Sequence, residues 1–238
     1  MPDTHPFHMR DAGLLPNDTE FLVAAFDSTL PYLQSIGGGE MWGPTPFSEK
    51  DGFVAETQES ITQSESYRRR TATATATATA AGAGAGAGAG DKVRVFIAEV
   101  EIGGVDGDKE EVTSGTVTGT GTLHTRVGAD DDDGRVWLAV AAACVREGWV
   151  PEYVRSQAHL RLPKEGKGEE EGKGKGKGTT GDSGFAYLEV MVADHRTGRH
   201  HRGAGAALLQ LLKQHYREKG SRTMYVDAWA GNGRNLAK

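Results

Sequence analysis

One cysteine, Cys144, is all that 238 residues carry, so no intrachain disulfide can form and a metal site built from several thiolates is excluded. An intracellular, cytoplasmic protein is the expectation, with the nucleus left open. The opening segment, MPDTHPFHMRDAG, has no apolar run of the kind a secretory signal needs. Long hydrophobic stretches are missing as well. Residues 136–145 are apolar but too short to span a bilayer, and the uncharged residues 71–90 are only Ala, Thr and Gly, which bury too little apolar surface for a membrane helix. No membrane partner is expected. Nor is there an excess of positive charge: 27 Lys and Arg stand against 33 Asp and Glu, a formal net charge of −6. That balance argues against a general nucleic-acid binder, so nucleic acid is left out of the expected partners.

What the chain does contain is uneven in complexity. The repeat TATATATATAAGAGAGAGAG has no charged or large apolar residue and cannot supply a core, so residues 68–91 read as a disordered insert. Residues 164–183, rich in Gly, Lys and Glu, read as a second one. The remainder is one domain's worth of foldable sequence, placed over residues 7–238.

Within it, residues 7–11 suit a short first strand. Asn17, with Glu20 three residues on, is a candidate capping box for a helix whose Leu22, Phe26, Leu30 and Leu33 share one face, and Pro31 is expected to kink or end that helix. Trp42 and Phe47 either cap the core under a loop or wall an acceptor site. Residues 49–67 suit a second helix, ending before Arg68. Residues 92–101 alternate with a slight phase slip, as a half-buried strand does, and residues 136–145, apolar on both faces, suit a central strand with Cys144 as a small buried hydrophobe.

The most informative stretch is residues 185–235. An apolar run, residues 185–192, leads through a basic connector carrying Arg196, Arg199, His200, His201 and Arg202 into Gly203-Ala204-Gly205, where an amphipathic helix starts; residues 224–228 then alternate as a second strand. In the first of these strands Leu188, Val190 and Val192 are expected on one side, Glu189 and Met191 on the other. A glycine turn that opens a helix presents unpaired N–H groups and the positive end of the helix dipole, which suits a phosphate or pyrophosphate. A dinucleotide fingerprint fits less well, because about ten residues separate strand from glycines and Leu208 takes the third glycine position. Asp194, His195, His200 and His201 lack the helical spacing of common zinc motifs, so no metal site is expected.

The segment His200-His201-Arg202-Gly203-Ala204-Gly205-Ala206-Ala207-Leu208-Leu209 resembles the pyrophosphate motif R/Q-x-x-G-x-G/A of the GNAT superfamily of acetyl-CoA-dependent N-acetyltransferases, with His200 where Arg or Gln is usual. The resemblance implies an α/β fold: a mixed, mostly antiparallel sheet with flanking helices and a parallel strand pair around the cofactor. It further implies acetyl-CoA as cosubstrate and a primary amine as acceptor. The pyrophosphate would lie on residues 201–206 and the pantetheine arm along residues 188–192, with Met191 and Val192 as cofactor-binding positions and the Val192 amide as oxyanion donor. Asn232 and Asn235 would contact pantetheine. Glu189 is the candidate general base and Asp227 the weaker one; an ion-paired strand carboxylate is the competing reading of Glu189. Family members continue with a tyrosine acid and two further strands, whereas this sequence stops at Lys238, so a C-terminally incomplete domain is expected. A non-catalytic module that binds CoA or another phosphorylated ligand is the alternative function.

Overall fold

The apolar residues 136–145 become β4 (Val136–Glu147), which lies in the middle of the sheet with Val140, Ala141 and Val145 fully buried. The computed structural model describes residues 7–13, 15–81, 92–103, 123–127, 135–157 and 184–228. Around β4 the described strands form a mixed, open, six-stranded sheet: β1 (Phe7–Asp11), β2 (Val93–Gly103), β4, β5 (Phe185–Ala193) and β6 (Thr223–Val226) in that order, with β3 (Thr125–Val127) also on β4. Every pairing is antiparallel except β5 with β6. The slip foreseen in residues 92–101 is a register shift between Ala98 and Glu99.

Helices cover both faces. On one, α1 (Asp18–Ser35) sets Phe21, Leu22, Ala25 and Phe26 against Val95, Ile97 and Ala142, with Ile61 of α2 (Phe53–Ala81) in the same cluster. On the other, α4 (Ala204–Glu218) buries Ala204, Leu208, Leu212 and Tyr216 against Phe96, Val140, Ala186 and Leu188. The short α3 (Glu152–Arg155) adds Val154 to Val150, Phe185 and Tyr187. Both faces of the sheet are thus removed from water, which is why β4 tolerates an unbroken apolar run.

Three local expectations are corrected, the first in part. First, Pro31 does not end α1, which passes through it to Ser35; Leu33, 4 % exposed, packs beyond the proline, and that burial outweighs one lost backbone hydrogen bond. Second, Asn17 makes no side-chain cap. Its amide lies 3.3 Å from His124 Nδ1, while Asp18 instead accepts the Gly13 N–H at 2.8 Å. Third, α2 does not stop before Arg68 but continues to Ala81. Alanine is the best helix former, and neither Gly nor Pro interrupts the chain between Phe53 and Ala81. Residues 82–91 and 164–183 lie outside the described residues. Among the described residues no helix is long and apolar enough to cross a membrane.

A buried charge network fastens α1 to the sheet. Arg10 on β1 donates to both Asp18 oxygens at 2.6 and 2.8 Å and to Glu99 Oε1 at 2.6 Å. Arg126 on β3 closes on the other side of Glu99 at 2.7 Å. Side-chain exposures of 7 % for Arg10, 2 % for Asp18 and 1 % for Glu99 put these charges in the interior, where such groups persist only when paired.

Candidate functional site

The site begins where two parallel strands part. β5 and β6 pair from Phe185 with Thr223 to Leu188 with Val226. β6 ends there, while β5 runs on to Ala193. At the parting point the register of β5 against β4 slips: Val145 faces Leu188 but Cys144 faces Val190, leaving Glu189 as the extra residue of a bulge. A bulge inverts the alternation beyond it, so the expected sharing of one side by Leu188, Val190 and Val192 is corrected. Leu188, Met191 and Ala193 pack toward α4; Val190 and Val192 pack toward α1.

Backbone phase follows from one bond. The Asp194 N–H donates to Val140 O at 2.8 Å, and strand amides alternate sides, so the Val192 N–H also faces β4 and is taken up in the ladder. The amides turned to the open edge are those of Met191 and Ala193. Met191, rather than the expected Val192, therefore offers the edge donor.

The connector is two short 3-10 turns over His195–His201, kinked at Gly198, where φ is 59°. It is tied down from several directions. Asp194, fully buried, takes the Arg196 guanidinium at 2.7 and 2.8 Å, the His195 N–H donates to Ser28 Oγ at 3.0 Å, and the His195 ring stacks on Tyr32 and lies 4.7 Å from His201. The chain then turns into α4 through Gly203, whose φ of 82° is a left-handed conformation that disfavours any side chain. Ala204, Gly205 and Ala206 form the first turn, with their amides free of helical partners. Arg202 and Ala206 are exposed and His200 and His201 half-buried. A Cβ on Gly205 would meet only Met191 Cε, at 3.6 Å, so the helix N-terminus adjoins the open stretch of β5.

Gly205 sits inside the helix, where glycine carries an entropic penalty. Gly205→Ala is therefore expected to raise stability by about 0.5–1 kcal/mol in urea denaturation; a loss of stability would contradict the open space found around it.

In front of β5 lies a cavity of about 1230 Å3 that reaches Glu189, Val190, Met191, Val192 and Asp227. Glu189 Oε2 accepts from Arg146 Nε at 2.8 Å and from Cys144 Sγ at 3.4 Å. Burial first, and then the neighbouring carboxylate, push the Cys144 thiol well above its ordinary range, so Cys144 is a hydrophobe and weak donor, no nucleophile. Asp227 accepts from Tyr187 Oη at 2.6 Å and from Tyr153 Oη at 2.7 Å. The Tyr187 phenol is raised by burial and then by its bond to Asp227, and Tyr153 is raised as well, burial again being the first cause. Both phenols stay protonated donors at neutral pH.

Both carboxylates chosen from sequence thus reach one cavity. Sequence reading missed Arg146, Tyr153 and Tyr187, which come from β4, α3 and β5. The available signal was Arg146 closing an apolar run that pairs with another carrying a lone glutamate. Asn232 and Asn235 lie outside the described residues. The two aromatics of residues 42–47 divide: Trp42 lines the cavity, whereas Phe47, 7 % exposed, belongs to the core.

Burial lowers the proton affinity of His124, His195, His201 and His215 below the ordinary histidine value. The folded state then binds fewer protons than the unfolded chain below about pH 6.5, and stability is lost as pH falls through the histidine range. The urea midpoint is expected to drop between pH 7 and pH 5; a constant or rising midpoint would contradict this.

No family model, curated protein or solved structure matches the chain.

Proposed function

We propose that this chain is an acetyl-CoA-dependent N-acetyltransferase of the GNAT type that transfers the acetyl group to a primary amine. The observation that carries the reading is the parting of β5 and β6 at the Glu189 bulge beside the N-terminus of α4. In this reading Gly203, Ala204, Gly205 and Ala206, with His200, His201 and Arg202, take the pyrophosphate through amides, helix dipole and side-chain donors. The pantetheine arm then adds to the open edge of β5 as an extra strand would.

The deprotonation of the amine and the charge on the carbonyl oxygen each have a group to serve them. The amine nitrogen attacks the acetyl carbonyl carbon, the C–N bond forms and the C–S bond breaks. Charge developing on the carbonyl oxygen is met by the Met191 N–H, aimed at the open edge. Glu189, held in place by Arg146, removes a proton from the ammonium, with Asp227 the second carboxylate at hand. Of the two protons the nitrogen sheds, one ends on the departing sulfur and one in solvent, giving amide and free CoA.

Acetyl-CoA incubated with the protein and a panel of primary amines is expected to release CoA thiol in an amine-dependent manner; release that ignores the amine would overturn the reading. A second reading rests on the Arg146–Glu189 pair, which commits that carboxylate to an ion pair. A non-catalytic CoA-binding module would bind acetyl-CoA and turn over no amine.

A further inference from the structure

The cavity extends well past the strand edge, and its other walls differ from the edge in character. α1 and the segment after it contribute Phe26 and Trp42, whose rings lie 5.6 Å apart, and Phe53 of α2 lies 5.1 Å from Phe26. This aromatic wall is continuous with Val190 and Val192 of β5, so it abuts Glu189 directly in the chain. Its members are not all sealed into the core: Phe26 is 9 % exposed, while Trp42 and Phe53 are half-buried and turn toward the cavity.

Charge on the lining is one-sided. Among the described residues of the lining, four carboxylates, Glu56, Glu59, Glu189 and Asp227, stand against one guanidinium, that of Arg146, itself paired with Glu189 at 2.8 Å. Such a lining repels an anionic acceptor and attracts a cation. Phosphates have their own place at the N-terminus of α4, on the far side of β5's open edge from this wall. A fully polar polyamine would match the charge but leave the rings uncovered, and a neutral aryl compound would cover the rings but ignore the carboxylates.

Building on the acetyl-transfer reading, we infer that the acceptor is a monocationic primary amine carrying an apolar body the size of an aromatic ring. The ring lies against Trp42 and Phe53, and the ammonium points to Glu189 and Asp227. Ring-to-ring packing on the wall and Coulomb attraction to the carboxylates act on the same molecule.

The test measures binding by calorimetry without acetyl-CoA, using 2-phenylethylamine, its neutral counterpart 2-phenylethanol, and ethylamine, which keeps the charge and lacks the ring. 2-Phenylethylamine is expected to bind about tenfold or more tighter than either control, the equivalent of about 1.4 kcal/mol. Trp42→Leu is expected to weaken 2-phenylethylamine about fivefold while leaving ethylamine unchanged. Glu56→Gln combined with Glu59→Gln, two exposed helix positions, is expected to weaken 2-phenylethylamine and spare 2-phenylethanol. Equal binding of 2-phenylethanol would overturn the role of charge, and equal binding of ethylamine the role of the wall. Failure of the acetyl-transfer reading is separate: the amine would bind as described and no thiol would be released from acetyl-CoA.

Discussion

Glu189→Gln is expected to lower turnover about 100-fold or more while leaving acetyl-CoA affinity unchanged, because it removes a proton acceptor without removing a ligand contact. The substitution keeps the size of the side chain and its capacity to accept from Arg146 Nε. Its structural effect is small. Glu189 is 31 % exposed and Arg146 23 %, and an ion pair at such a site contributes under about 1 kcal/mol. Activity and stability therefore separate cleanly. A proton acceptor shows as a collapse of kcat at nearly unchanged urea midpoint. An ion-paired strand carboxylate would show a modest midpoint shift and an unaltered rate, and that outcome would remove Glu189 from the mechanism.

The sequence and the folded chain agree best where the signal is local. The apolar run of β4, the strand–turn–helix–strand of residues 185–228 and the phase slip in β2 were all legible, since each depends on near neighbours. What was not legible depends on residues brought together from a distance. The bulge at Glu189 is a single extra residue in a run apolar on both sides, so periodicity alone cannot place it; it appears only when β4 supplies the register. The same holds for Asp227, whose partners Tyr187 and Tyr153 lie 40 and 74 positions away. Glycine phase placed the turn that opens α4, but the donor at the strand edge moved from Val192 to Met191 because hydrogen-bond phase is a property of the pair of strands. Helix limits failed for a different reason. Packing beyond Pro31 and the high helix propensity of alanine outweighed local stop signals and low complexity.

The largest expected loss of stability is at Asp18. Asp18→Ala leaves Arg10 with a buried guanidinium short of one of its two partners and removes the acceptor of the Gly13 N–H. Breaking a buried pair by removing one member costs about 3–5 kcal/mol, a large share of the 5–15 kcal/mol of a typical domain. Sequence could not reveal this, because Arg10 meets Glu99 across 89 positions. Arg10→Met is expected to be comparably destabilising, since it strands Asp18. Arg10→Met combined with Asp18→Leu is expected to lose much less than the sum, because no buried charge of that pair is left alone and Glu99 retains Arg126 at 2.7 Å. Urea denaturation of the single and double variants decides the matter: additive losses would mean that the two residues act independently.

All of the functional reading depends on the open edge of β5 and the N-terminus of α4 forming one binding site. The direct measurement is calorimetric titration of the protein with acetyl-CoA, and separately with NAD, at low ionic strength. Saturable binding of acetyl-CoA is expected, with a Kd on the order of micromolar to a millimolar, weakened by salt because phosphates meet a helix terminus and cationic side chains. NAD is expected to give no saturable heat. Binding of NAD in place of acetyl-CoA, or no binding of acetyl-CoA at all, would contradict the assignment of this site.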